Sequence, residues 1–116
     1  MSAWRARLPA ALAARAARRE TVTYAALAAE LAIAPPQRIR QLAEALEALM
    51  AEDAAASRPL RAAVVVSQAR GGLPAPGFFA TAHALGRYDG PESGPEAARF
   101  HAAERDALLW MHDETE

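Results

Sequence analysis

The chain has 116 residues, 53% of them apolar, and a formal net charge of −1, the size and composition of one globular domain rather than of a disordered segment. It has no cysteine, which excludes disulfides, thiolate nucleophiles and cysteine-held zinc or iron–sulfur sites. Charge is spread unevenly: ten arginines stand against six acids from Met1 to Arg70, and three against eight from Gly71 onward. A basic front and an acidic rear fit nucleic-acid binding by the front, and equally fit attraction between the two halves within one fold.

Every basic residue is arginine, and much of the apolar content is alanine, the best helix former. No apolar run reaches the roughly 18–20 residues that cross a bilayer. Arg15, Arg18 and Arg19 interrupt the alanines of the first twenty residues, so these do not read as a signal peptide. The expectation is a bacterial-type cytoplasmic protein that stays off membranes.

Trp4, Leu8, Leu12 and Ala16 recur at helical spacing and predict a first helix over 3–20, made secure only from Pro9 or Ala10 because a proline ends or kinks the turn before it. Thr21-Val22-Thr23 is locally extended, and Thr23 is a good N-cap for a second helix from Tyr24 to about Ile33. Ala34-Pro35-Pro36 makes a corner, with a proline placed to open the next helix. The third helix, Gln37 to about Ala54, carries the clearest periodicity: Ile39, Leu42, Ala43, Leu46, Leu49 and Met50 follow the i, i+3, i+4, i+7 pattern. Its other face holds Arg40, Glu44 and Glu47, with Arg40 and Glu44 spaced to pair.

The β-branched run Val64-Val65-Val66 predicts a strand over Leu60 to Ser67. ARGGLPAPG after it is turn-rich, and Phe78 to Leu85 reads as a short helix or an extended segment. If the loop only shapes the backbone, Phe78 and Phe79 are expected to be buried and to anchor the chain after it, since few other large side chains are left to close the core. Ser93 and Glu96 form a capping-box pattern around Pro95. The last helix, Pro95 to about His112, is expected to bury Phe100, Ala103, Ala107, Leu108 and Met111, and Asp113 to Glu116 to fray.

Helix, corner, helix and strand is the order of a winged helix-turn-helix. The expected fold is an α-rich α+β domain over 1–116, with 93–113 as a C-terminal helical extension. Val22-Thr23-Tyr24-Ala25-Ala26-Leu27-Ala28 resembles the opening of the helix-turn-helix in DNA alkyltransferases and alkyltransferase-like proteins, where a recognition helix comes next. The resemblance spans about Glu20 to Ser67. The Pro-Cys-His-Arg site of that family is missing, since Ala63-Val64-Val65-Val66 stands there; it therefore implies the fold and a nucleic-acid contact, not alkyl transfer. Tyr24-x-x-Leu27-Ala28, Ala63-Val64-Val65-Val66-Ser67 and Gly72-Leu73-Pro74-x-x-Gly77-Phe78-Phe79 together resemble small bacterial domains, some of them neighbours of restriction or defence nucleases.

Recognition helices read base edges with their N-terminal residues, and wing arginines meet phosphate or the minor groove. The candidate contacts are therefore Gln37, Arg38, Arg40 and Gln41 at the start of the third helix, and Arg70 in the wing. Glu44 and Glu47 would repel phosphates, which restricts entry to the first turn; an ordinary solvated helix face explains the same residues. His83, His101 and His112 show no ligand spacing and read as exposed histidines. Ser67 and Ser93 lack a histidine–carboxylate pair, and the glycines match no phosphate loop. The expected function is duplex DNA binding without catalysis, cofactor or metal. Its rival is an accessory module, or a homodimer, that binds protein through the same frame.

Overall fold

The computed structural model describes the backbone of residues 3–113 and the side chains of residues 3–110. The first helix, α1 (Ala3–Ala17), buries Trp4, Leu8, Leu12 and Ala16. Pro9 lies inside it rather than ending a turn: the lost hydrogen bond near the helix start is offset by burial of Leu8 and Leu12 on either side. Val22–Thr23 forms β1. Thr23 then caps α2 (Tyr24–Glu30), its hydroxyl accepting from the Ala26 N–H at 3.1 Å.

After the corner, α3 (Arg38–Ala55) buries Leu42, Ala45, Leu46, Leu49, Met50 and Asp53. Ile39, expected on the buried stripe, is 45% exposed. The first turn of α3 projects beyond the body, so the stripe is only partly covered there.

The expected strand over Leu60–Ser67 is reduced to β2 (Val65–Val66), preceded by a 3₁₀ turn over Arg61–Val64. Strand β2 pairs with β1 in parallel, Val22 opposite Val65 and Thr23 opposite Val66. Every residue from Leu60 to Val66 except Arg61 is buried, so the apolar run is needed, but no ladder satisfies most of its backbone. Side chains from other elements do that instead: Asp53 accepts the Arg61 N–H at 2.9 Å, Glu104 accepts the Leu60 N–H at 2.8 Å, and His101 bonds the Ala63 carbonyl at 2.7 Å. Buried backbone groups require such partners. Among the described residues there is no antiparallel pair, so the segment after β2 is not a hairpin wing. It is a loop closed on itself, with the Ser67 N–H donating to the Leu73 carbonyl at 2.8 Å.

Helix α4 (Pro76–Ala84) buries Phe78 and Phe79, as expected of a loop that only anchors the chain. Their rings meet edge-on at 5.2 Å, and Tyr88 stacks on Phe100 at 4.5 Å beside them. Helix α5 (Gly94–Asp113) turns Ala97, His101 and Leu108 inward. Phe100 and Ala107 are only half-buried and Ala103 is exposed, while the side chains of Met111 and His112 and residues 114–116 lie outside the described residues. The stripe sits off the expected one because His101 and Glu104, polar in the sequence, are needed inside by the backbone of 60–63. The core lies where α1, α3 and α5 surround the Arg61–Val64 turn. The chain is thus α-rich with a minimal parallel sheet. Among the described residues no helix is long and apolar enough to cross a membrane.

Candidate nucleic-acid interface

Residues Ala34 to Arg40 are all exposed. A helix residue turns about 100° from its predecessor, so three successive exposed residues, Arg38, Ile39 and Arg40, sweep more than half of the first turn of α3. The turn therefore projects from the body. Gln37 precedes it in the left-handed region, φ 57°, without a side-chain cap bond.

Gln41 is not free to read a base. Its amide nitrogen donates to the Ala34 and Pro36 carbonyls, each at 2.8 Å, and clamps the corner to the helix. Arg40 lies 3.6 Å from Glu44 with both side chains mostly exposed, the predicted i, i+4 pair; such a pair is worth a few tenths of a kcal/mol and can be exchanged for another anion. Arg38 has no ion pair among the described residues. Arg70, expected to project from a wing, folds back instead: its guanidinium donates to the Glu92 carbonyl and lies 6.0 Å from the centre of the Phe79 ring. The closed loop leaves it half-buried. Of the five candidate residues, the structure brings Gln37, Arg38 and Arg40 together at one free tip, gives Gln41 a supporting role, and places Arg70 elsewhere.

Two clefts flank this tip. One, of about 620 Å³, runs between α2 and the start of α3, with Ala29, Ala32, Pro35 and Arg38 along it. The other, of about 300 Å³, lies towards Val66, Ser67 and Gln68. Ala25 and Ile39 line both. Tyr24 edges the second cleft, but its hydroxyl is engaged, accepting the Ala75 N–H at 3.0 Å. Burial pushes its pKa above the usual phenol value, against the lowering effect of that hydrogen bond.

Arginine elsewhere in the front half is largely occupied by that half. Arg15 pairs with Glu30, Arg18 with Glu20, and Arg58 and Arg61 with Asp53. Arg7 donates to the Leu31 carbonyl at 2.7 Å. Among the described residues, of these ten guanidinium groups that of Arg70 alone reaches the rear half, through the Glu92 carbonyl and the Phe79 ring. Among the described residues no ion pair joins the two halves; Glu104 and Arg87 of the rear half instead bond the Leu60 N–H and the Arg58 carbonyl of the front half.

The polar cluster that the sequence reading missed is centred on Asp53, which is fully buried. It accepts from Arg58 at 3.0 Å and from Arg61 at 2.9 Å, besides the Arg61 N–H. A signal existed, for Asp53 continues the apolar stripe of Leu46, Leu49 and Met50 by one step. His101, expected to be exposed, is buried. Because its partner is a carbonyl, Nε2 must carry the proton and donate. Burial pulls its pKa below the ordinary imidazole value, the hydrogen bond opposing and Arg105 assisting. Among the described residues no three histidines or carboxylates are grouped to hold a metal ion. No family model, no curated protein and no solved structure matches this chain.

Proposed function

We propose that this chain binds duplex DNA as a variant winged helix-turn-helix, with α2 and α3 as the helix-turn-helix and the Ser67–Leu73 loop in place of a wing. One observation carries the reading. Arg38 and Arg40 occupy the first turn of α3, which has no acidic residue and no side-chain cap. Cations at the positive end of a helix dipole are unfavourable by about 0.3–1 kcal/mol each. A placement that costs stability is accounted for by an anionic ligand, and phosphates at a helix N-terminus gain from the dipole as well as from the arginines. Exposed Glu44 and Glu47 limit the contact to this turn, with Gln37 beside it.

The test is a titration of a fluorescent mixed-sequence duplex at low and moderate salt. Binding should weaken with salt with a slope equivalent to roughly two ion contacts, at about 0.9 per phosphate. Arg38→Ala with Arg40→Ala should remove most of it, and Arg99→Ala with Arg105→Ala should change it little. Equal loss in both double variants would reduce the result to unspecific charge. Absence of binding even at low salt would reject the reading.

A second reading, a protein-binding module, has its own observation in its favour: Ile39 is exposed over a largely alanine-lined groove. Exposed apolar patches mark protein contacts as well as ligand grooves. Absence of DNA binding in the duplex titration would leave this reading in possession of the site.

A further inference from the structure

Building on the reading of the α3 tip as a DNA contact, we infer that Ile39 is an apolar wedge and that the ligand is duplex DNA with a deformable pyrimidine–purine step. Ile39 is 45% exposed at a place where a solvated helix face would carry a polar residue. Arg38 and Arg40 lie on either side of it, about 100° away around the helix. The tip thus presents a cation, a branched apolar group and a second cation in one turn. The arginines suit phosphates or a narrow groove, and the isoleucine suits neither. What it suits is the face of a base.

The surroundings fit that use. On both sides of Ile39 the surface falls away into the clefts of about 620 and 300 Å³, with Ala25 in the wall of each. Alanines line most of the larger cleft, while Tyr24, Val66 and Gln68 edge the smaller, and a sugar–phosphate strand on either side of the ridge would lie along them. A wedge must also resist the load placed on it, and the Gln41 clamp on the Ala34 and Pro36 carbonyls fixes the turn that carries Ile39. Proteins that insert isoleucine or similar side chains between base pairs partly unstack one step and bend the duplex. The energy needed to do so depends on the step and is lowest at TA and CA/TG, so the wedge confers a preference without a hydrogen bond to any base.

The experiment uses two end-labelled duplexes of about 20 base pairs and equal composition, one with a central TA step and one with a central A-tract. Affinity is read by anisotropy, and end-to-end distance by energy transfer. The whole chain should favour the TA duplex by about five- to tenfold and shorten its end-to-end distance. Ile39→Ala should bind the A-tract duplex about as well as the parent, yet lose both the preference and the shortening; Ile39→Leu should keep them. Circular dichroism confirms that these surface variants fold. Equal affinity for both duplexes, or full bending by Ile39→Ala, overturns the wedge and leaves the DNA reading standing. No binding by the parent chain overturns both, and assigns Ile39 to a protein partner instead.

Discussion

At its C-terminal end α3 sends Asp53 into the protein, where Arg58 and Arg61 close over it and the chain turns into its buried 3₁₀ segment. At its N-terminal end the same helix holds Arg38 and Arg40 in solvent, against its own dipole, with one loose contact to Glu44. The residue type is the same and the uses are opposite. Arginine near a buried carboxylate is part of the fold, because neither partner can be left alone in a medium of low polarity. Arginine that nothing in the fold requires is available for something outside it. A count of basic residues in the front half does not separate these cases, whereas the partners of each guanidinium do.

The largest effect expected from this contrast is at Asp53. Asp53→Ala leaves the Arg61 guanidinium, whose side chain is only 21% exposed, with a 3.6 Å contact to exposed Glu52 as its remaining ion pair among the described residues, and removes the acceptor of the Arg61 N–H. Breaking a buried pair from one side costs about 3–5 kcal/mol, and the partial exposure of Arg58 places this case at the lower end. Urea denaturation should show a loss of about 3 kcal/mol. Glu44→Ala, near the other end of the helix, should lie within about 0.5 kcal/mol of the parent. Similar losses in the two variants would break the comparison.

A smaller effect should arise from pH. His101 supports the same buried segment through the Ala63 carbonyl, and burial holds its pKa below the ordinary value, near 6.5 when unfolded. As pH falls through about 6.5 the unfolded chain takes up a proton at this position before the native chain does. Native stability is therefore complete above that pH and declines below it, until the native imidazole also titrates. The urea midpoint of the parent should drop between neutral and mildly acidic pH. Relative to His101→Gln, which retains a donor but cannot titrate, that drop should be steeper. A parallel decline in both proteins would assign the pH dependence to carboxylates.

How far this was legible in the sequence depends on the range of each interaction. The stripes of α1 and α3 and the Thr23 cap depend on spacing within one element, and the residues announce them; the burial of Phe78 and Phe79 follows from how few other large side chains the chain has to close its core. The 60–66 segment does not, because its backbone is satisfied by Asp53, Glu104 and His101, which reach it from two helices. A valine triplet looks the same whether a ladder or three side chains complete it. For the candidate site, the exposure of Arg38 and Arg40 follows from their position at the head of a helix. Arg70 is misplaced because a closed loop and an open wing share glycine-rich composition. The engagement of Gln41 is not legible because its acceptors, two carbonyls of the corner, come together only once the corner is folded.

The smallest expected effect is of opposite sign to the others and separates the two ends of α3 most sharply. Arg38→Glu puts an acid in the first turn, where the dipole favours it, in place of a cation that the dipole disfavours. Nothing among the described residues pairs with the Arg38 side chain, so no native contact is lost. The variant should be more stable than the parent by about 0.3–1 kcal/mol, visible as a higher urea midpoint with an unchanged slope. In the duplex titration it should bind more weakly than Arg38→Ala, since an acid at the tip repels phosphate where alanine only ceases to attract it. Stability gained while binding is lost is the signature of a residue kept for a ligand. If Arg38→Glu instead destabilises the chain, Arg38 has a structural partner, and the free end of α3 is less free than its geometry states.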